Sequence, residues 1–388
     1  MATDNKNKVL NVPNLRFPEF KEVWKDSNIG RCFDLYSGNT PSRMEKEHFI
    51  GDVNWITSGE LKEHYIGDTK ERISEKAAAD NNLRILPVGT FVMAIYGLEA
   101  EGVRGTCSIT VKTSTISQAC MAFTPKSNVS NEFLYSWYKK HGNKIGIRYA
   151  QGTKQQNLSY DIIEKFPIRY PSIEEQEKLN TFISLLDSRI ATQNKIIEDL
   201  KKLKVAIRDK QLNAIRKHYG LNYQICDLLD YEQPTKYVVT DTEYSEDRSK
   251  TPVLTANKAF ILGYTDESFG VYDKGACIIL DDFTLDCKYV DFPFKVKSSA
   301  IKILTVKNGC SLRYVYEYLN YMNLETTEHK RHYISEIEPM IIAYPTDKKG
   351  IDDFNNIMSS FESKIEIENK YLQSLLAQKS YLLSNMFI

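Results

Sequence analysis

From Ser172 to Tyr219 the chain carries neither proline nor glycine, and within that run Ile173, Leu179, Phe182, Ile183, Leu186, Ile190, Ile197, Leu200, Leu203, Ile207 and Leu212 recur at spacings of mostly three, four or seven. Such spacings place the apolar residues on one stripe of an α-helix. At about 1.5 Å per residue the helix is on the order of 60 Å long. A stripe of that length has to be covered by something equally long.

The chain supplies the cover itself. Leu186-Asp187-Ser188-Arg189-Ile190 matches Phe361-Glu362-Ser363-Lys364-Ile365 at an offset of 175 residues, and the offset carries Asn194-Lys195 onto Asn369-Lys370, Ile197 onto Leu372, Leu200 onto Leu375, Ile207 onto Leu382 and Leu212 onto Phe387. Each segment opens with a similar phrase, Ile168-Arg169-Tyr170-Pro171 and Ile342-Ala343-Tyr344-Pro345. Proline ends a preceding strand and suits a helix start. The chain therefore reads as two copies of one plan, a globular part followed by a long helix.

With 388 residues, 42 % hydrophobic and 26 % charged, each half can bury an ordinary core. No apolar run reaches the roughly 20 residues of a membrane helix, and the polar start Met1-Ala2-Thr3-Asp4-Asn5-Lys6 is unlike a signal peptide. Seven cysteines without a Cys-x-x-Cys pair point to reduced thiols and a cytoplasmic location. A net charge of zero argues against a purely electrostatic nucleic-acid binder and leaves local patches open.

The expected division is residues 1–170, 171–217, 218–344 and 345–388. In the first globular part Ser37-Gly38-Asn39-Thr40-Pro41-Ser42 is a loop, Val53–Ile56 a strand closed by Thr57-Ser58-Gly59-Glu60, and Thr90–Tyr96, Cys107–Val111 and Ala119–Phe123 are further strands. Glu132–Lys140 reads as a helix. In the second, Val253–Ala256, Ala276–Leu280 and Ile301–Val306 read as strands and Arg313–Met322 as an aromatic helix. Phe292, Phe294 and Val296 alternate with Lys295 and Lys297, which predicts a strand with one basic face. The fold class is α+β.

Each half also holds a window without acidic residues. Phe133–Tyr160 contains Lys139, Lys140, Lys144, Arg148 and Lys154 together with the amide-rich loop Gln151–Asn157; Phe292–Tyr316 contains Lys295, Lys297, Lys302, Lys307 and Arg313, followed by His329-Lys330-Arg331-His332-Tyr333. Lysine and arginine neutralise phosphates, and glutamine or asparagine can pair with a base edge. Different polar residues at equivalent places fit two modules that read different sequences from one scaffold.

Catalytic signatures are missing from the sequence. Gly270 and Gly275 have phosphate-loop spacing, but Ala276 stands where lysine is needed; there is no Gly-x-Ser-x-Gly elbow and no adjacent proline pair of the aminomethyltransferase tetrapeptide. His329 and His332 are spaced like metal ligands without a third nearby. Asp281 or Asp282 with Asp286 and Lys288 is a faint nuclease-like cluster, read more simply as a solvated loop.

The chain resembles the specificity subunits of type I restriction–modification enzymes over essentially its whole length. The resemblance rests on Leu15-Arg16-Phe17-Pro18-Glu19-Phe20 with Trp24, Gly38-Asn39-Thr40-Pro41-Ser42, Trp55-Ile56 with Gly59, Leu86-Pro87-Val88-Gly89, Asn157-Leu158-Ser159, and Pro171-Ser172-Ile173-Glu174-Glu175-Gln176. Tyr333-Ile334-Ser335 echoes Asn157-Leu158-Ser159, whereas Thr346-Asp347-Lys348-Lys349-Gly350 lacks the Glu-Gln pair. The resemblance implies two target-recognition domains, each reading half of a split DNA site, on two helices packed as an antiparallel coiled coil with a pseudo-two-fold repeat. A helix longer than one DNA turn of about 34 Å could set the gap between half-sites. It implies a non-catalytic, DNA-binding subunit of a heteromeric complex that holds no cofactor. Its partners would be methyltransferase subunits, two of them by expectation, which bind S-adenosylmethionine and methylate adenine. ATP- and Mg-dependent translocase–nuclease subunits would join them.

Position and residue type then give the candidate DNA contacts: Thr40, Ser42, Thr57, Ser58, Lys154, Gln155, Gln156 and Asn157 in the first module, and Asn257, Lys258, Lys297, Ser298, Lys330, Arg331 and His332 in the second. Two other classes compete. An autonomous DNA enzyme would act on DNA unaided, and a coiled-coil scaffold with no DNA role would show no salt-dependent DNA binding.

Overall fold

The computed structural model describes residues 11–388 apart from Glu101, 153–155, Lys258, Asn308, Thr327 and His329. By contact the chain forms two compact units. One reaches to Gln193 and takes in Tyr371–Ile388; the other is Asn194–Lys370. The unit boundaries thus fall inside both long helices rather than at their ends, because each helix has half of its apolar stripe in each unit.

In chain order the first unit holds β1 (Lys25–Asn28), α1 (Ile29–Cys32), β2 (Phe33–Ser37), β3 (Val53–Ile56), β4 (Tyr65–Ile66), β5 (Arg72–Ile73), α2 (Glu75–Asp80), β6 (Phe91–Ala94), β7 (Cys107–Thr110), β8 (Ser114–Ile116), β9 (Cys120–Pro125), α3 (Asn131–Tyr149), α4 (Tyr160–Ile163), β10 (Pro167–Tyr170) and the start of α5 (Ile173–Tyr219). The second holds the rest of α5, then β11 (Tyr223–Gln224), α6 (Ile225–Leu228), β12 (Leu229–Glu232), β13 (Thr251–Leu254), β14 (Ile261–Thr265), β15 (Cys277–Asp281), β16 (Cys287–Val290), β17 (Lys295–Val296), β18 (Ile301–Val306), α7 (Leu312–Met322), β19 (Ile341–Ile342) and most of α8 (Lys348–Met386).

The two units repeat one topology. One sheet has the order β2-β9-β6-β7-β4 in the first unit and β12-β18-β15-β16 in the second; the other is β5-β3-β8 against β14-β13-β17. In each three-stranded sheet the inner pair is parallel, Ile56 opposite Ile116 and Leu254 opposite Val296. β1 pairs with β10 and β11 with β19, so each module's first and last strands are zipped together just before its long helix begins or after the preceding one ends. Among the strands only β4 has no counterpart in the described residues of the second unit.

The helices repeat as well. Ser130 caps α3 by accepting from Phe133 N–H, and Ser311 caps α7 by accepting from Tyr314 N–H. Asn180 of α5 donates to Ser130 Oγ at 3.3 Å, and Asn355 of α8 donates to Ser311 Oγ at 2.9 Å. In the first unit Leu179 and Ile183 of α5 share a core with Phe133, Trp24 and, from α8, Leu382, Met386 and Phe387. In the second, Leu212 of α5 packs with Phe354 and Met358 of α8 and with Tyr314 of α7. The beginning of each helix meets the end of the other, so the pair is antiparallel. Burying each such side chain stabilises by about 1.5–3 kcal/mol.

Two expectations are corrected. α3 continues to Tyr149, well past Lys140. Gly142 makes this possible, for a Cβ there would stand 2.8 Å from Gly105 Cα and from the Tyr138 ring. And β17 has no basic face. Lys295 is fully buried, ion-paired with Glu267 at 2.7 Å and donating to the Phe269 carbonyl at 2.7 Å.

Candidate nucleic-acid interface

Five segments of the first module end at one edge of its two sheets, and backbone hydrogen bonds stitch them together. Asn39 N–H, after β2, donates to the Ile116 carbonyl at 3.2 Å; Ser117 N–H, after β8, donates to Ile56 at 2.9 Å; Ile95 N–H, after β6, donates to Ala119 at 2.9 Å; and Leu158 N–H donates to Ile95 at 2.8 Å. Gly38 allows the first approach, since a Cβ there would stand 1.8 Å from the Ile116 oxygen. Trp55 Nε1–H holds the same loop through the Asn39 carbonyl at 3.1 Å.

The second module makes the same four bonds. Val239 N–H donates to Val296 at 2.9 Å, Lys297 to Leu254 at 3.0 Å, Asp282 to Ala300 at 2.9 Å, and His332 to Asp282 at 3.0 Å. The rims can therefore be aligned at these anchors. Thr40 corresponds to Thr240, Thr57 to Thr255, Ser117 to Lys297, Ala119 to Ala300, and Gln156 and Asn157 to Lys330 and Arg331; between the turn's two anchors Gln118 is answered by two residues, Ser298 and Ser299. Leu158 corresponds to His332.

The rim gathers most of the candidate contacts that the structure describes. Thr40 donates its hydroxyl to Gln118 Oε1. Thr57 and Glu60 form a capping box that fixes the turn at Ser58. Gln156 accepts from Arg104 through Oε1 at 3.0 Å, and its N–H donates to Glu99 at 2.7 Å, which holds the Glu99 carboxyl below its usual pKa. Asn157 and Gln151 exchange two backbone hydrogen bonds of 2.9 Å and close the amide-rich loop. Ser42 is exposed one turn outward and accepts from Met44 N–H at 3.4 Å. Lys154, Gln155 and Lys258 lie outside the described residues.

In the second rim Asn257, Lys297, Lys330 and Arg331 are exposed. Ser298 accepts from Ala300 N–H at 3.1 Å. Lys330 is bridged to Glu328 at 2.6 Å and Glu336 at 3.0 Å. Thr240 is turned inward: Glu267 accepts from its N–H, its hydroxyl and Asp241 N–H at 2.6–3.0 Å. Burial by itself would raise the Glu267 pKa, but Lys295, Thr240 and the two backbone N–H groups hold it down at about 2.

His332 does not stand with the other candidates. It is 1 % exposed and fills the site of the buried Leu158. Its Nδ1 faces Glu336 at 2.9 Å, and its Nε2 faces the Glu328 carbonyl at 3.1 Å and Thr326 Oγ1 at 2.9 Å. It supports the Lys330-Arg331 loop from beneath.

The basic windows are also less free than the sequence implies. Lys295 pairs with Glu267, Lys302 with Asp282 at 3.4 Å, Lys307 with Asp230 at 3.6 Å, and Arg313 with Glu362. Lys140 donates to the carbonyls of Ser384 and Phe387 near the end of α8. Of the five cations in the second window only Lys297 has no ion pair among the described residues. Nor do Asp281, Asp282 and Asp286 gather as metal ligands. Asp281 accepts from Phe283 and Thr284 N–H, Asp282 from His332 and Tyr333 N–H, and no group of three metal-ligating side chains occurs among the described residues. No helix among them is long and apolar enough to cross a membrane.

Sequence reasoning missed Gln118, Thr240 and Arg104. No motif marks them; they join the rim only because strands distant in sequence end there.

Comparison with known proteins places this architecture. Residues 21–202 match the type I restriction modification DNA specificity domain family. The chain is 48 % identical over 125 residues to the Escherichia coli type I restriction enzyme EcoR124I/EcoR124II specificity subunit, a match spanning 31 % of each chain. It is 27 % identical over 308 residues to the Methanocaldococcus jannaschii MjaIX specificity subunit, 77 % of this chain and 68 % of the relative. Its fold superposes on the type I restriction–modification S subunit from M. genitalium with a TM-score of 0.55 and 16 % identity, over 97 % of this chain and 99 % of the other. A chain from a structural study of complex assembly and conformational transition in a type I system aligns at TM-score 0.59 and 11 % identity, over 94 % of this chain and 97 % of that one.

The fold is thus a duplicated two-sheet module on paired antiparallel helices, similar to that of the solved type I restriction–modification S subunit. Over residues 21–202 the chain is similar to the DNA specificity domain family of type I restriction–modification enzymes. The first relative is matched over less than a third of its length.

Proposed function

We propose that this chain selects the DNA sequence on which a type I restriction–modification complex acts, each module reading one half of a bipartite site through its rim. One observation carries the proposal. The same rim is built twice by the same four backbone hydrogen bonds, yet where one module has Gln118, Gln156 and Asn157 the other has Ser298-Ser299, Lys330 and Arg331. A conserved frame with exchanged polar side chains is what two readers of different sequences require. The remaining contacts would come from Ser42, Thr57, Ser58, Asn257 and Lys297, with Lys154, Gln155 and Lys258 added from the same loops.

The chemistry falls to partners in this reading. Methyltransferase subunits, two by expectation, would bring S-adenosylmethionine and methylate adenine; translocase–nuclease subunits would bring ATP and Mg and cut. The chain itself would hold no cofactor and work in the cytoplasm. The test is a methylome. The chain is expressed with its partner methyltransferase subunit in a host lacking such systems, and N6-methyladenine is mapped. One bipartite motif of fixed gap, lost when this chain is deleted, is expected. Methylation that persists without the chain would overturn the proposal, and so would a soluble complex that methylates nothing.

A further inference from the structure

Gln118 is the one exposed side chain of the turn Ser117–Ala119. Ser117 and Ala119 are tied into the frame by backbone hydrogen bonds to Ile56 and Ile95, and the Ser117 side chain is buried. Gln118 stands between the loop after β2 and the loop after β3, and its Oε1 accepts the Thr40 hydroxyl. That bond fixes which way the carboxamide points. Oε1 has a second lone pair, and Nε2 carries two N–H groups with no partner among the described residues.

An amide held in this way matches the major-groove edge of adenine, where an N6 amino donor sits beside an N7 acceptor. We propose that Gln118 is a specificity-determining residue, pairing with an adenine in the half-site read by the first module, and that Thr40 is its positioning residue. The inference rests on the DNA-reading function proposed above. It also explains the divergence at the equivalent turn of the second module. There Lys297 takes the place of Ser117, and Ser298 and Ser299 stand before Ala300 where the first module has Gln118 alone; Ser298 is spent on its own turn through Ala300 N–H. The second module therefore presents serines beside the exposed Lys297 where the first presents an amide, and the same base is not read there.

The test uses the full chain in complex with its methyltransferase partner. The wild-type motif is mapped first. Methylation rates are then compared on DNAs carrying each single-base change in both half-sites. In Gln118→Ala the preference for adenine at one position of one half-site falls by about 5- to 150-fold, the range for losing one bidentate pair. Every other position keeps its preference. Thr40→Val, which keeps the shape and removes the hydroxyl, weakens the same position by a smaller factor. Gln118→Glu moves the preference there toward cytosine, whose N4 amino group donates to a carboxylate. An unaltered preference at every position in Gln118→Ala would overturn the assignment, as would a uniform loss on all DNA or a change in both halves. If the wild-type complex shows no motif, the DNA-reading function itself fails and takes this assignment with it. A wild-type bipartite motif that Gln118→Ala leaves intact sinks the assignment alone.

Discussion

Lys204 of α5 donates to Glu362 of α8 at 2.8 Å, and each has a counterpart 175 positions away, Lys379 of α8 and Asp187 of α5, which form the same pair. The duplicated helices are thus locked at two symmetric points by one conserved contact. The surroundings differ. Lys204 also donates to Glu317 at 2.6 Å, an acid only 1 % exposed whose other cation, Arg208, is 3.9 Å away. Asp187 is about a quarter exposed.

Lys204→Met should therefore cost far more than Lys379→Met. Removing one partner of a buried pair strands a charge and costs about 3 kcal/mol or more, whereas a partly exposed pair such as Lys379–Asp187 contributes about 1 kcal/mol or less. Urea unfolding of the two variants checks this. Equal losses would show that Glu317 does not depend on Lys204.

Glu175 gives a second prediction. It accepts two hydrogen bonds of 2.7 Å from Arg16 and one of 3.4 Å from Trp24 Nε1–H. Its neighbour Gln176 is fully buried and accepts from Ser130 N–H at 2.9 Å while donating to the carbonyls of Asn128 and Pro171. The Glu-Gln pair thus clamps the segment leading into the first module. α8 has Gly350 and Ile351 at these places and no such segment to hold. Glu175→Ala should destabilise by about 2 kcal/mol, as charge-assisted bidentate bonds are lost. Limited proteolysis at Arg16 and Lys21 should quicken. Cleavage at the wild-type rate would show that other contacts hold the segment.

The long helices, their start points and their pairing were legible in the sequence because a stripe and a constant offset survive wherever no insertion intervenes. The rims were legible only in part. Thr40 and Thr240 are 200 positions apart while Asn180 and Asn355 are 175 apart, so loop-length changes hide the equivalence that the hydrogen bonds reveal. The free-cation reading of Lys295, Lys302 and Lys307 failed for a related reason. Their acids, Glu267, Asp282 and Asp230, lie outside the window and reach it only across the folded sheets. His332 was misplaced because a polar loop residue and a buried cap look alike in sequence.

Lys297 is exposed and without an ion pair among the described residues, at the second rim where a phosphate would pass. Lys297→Ala should lower affinity for specific and non-specific DNA alike and reduce the slope of log K against log salt by about one. A loss confined to one base position, with the slope unchanged, would assign the residue to base reading instead.

His332 should make the second module sensitive to pH. Glu336, and after it the Glu328 carbonyl, raise its pKa above the ordinary 6.5, because both ring nitrogens face acceptors that favour the doubly protonated ring. A group whose folded pKa lies above its unfolded value contributes stability that is complete below the unfolded value. That contribution is lost as pH rises through the folded one. The melting temperature of the chain should therefore fall as pH is raised from 6.5 through the folded pKa. In Glu336→Gln this fall should be much reduced. His332→Leu restores the residue type found at Leu158, so it should abolish this part of the pH dependence while the sequence preference of the second half-site persists. A changed preference in His332→Leu, with the fold intact, would return His332 to the DNA-reading residues and overturn the buried role its hydrogen bonds assign it.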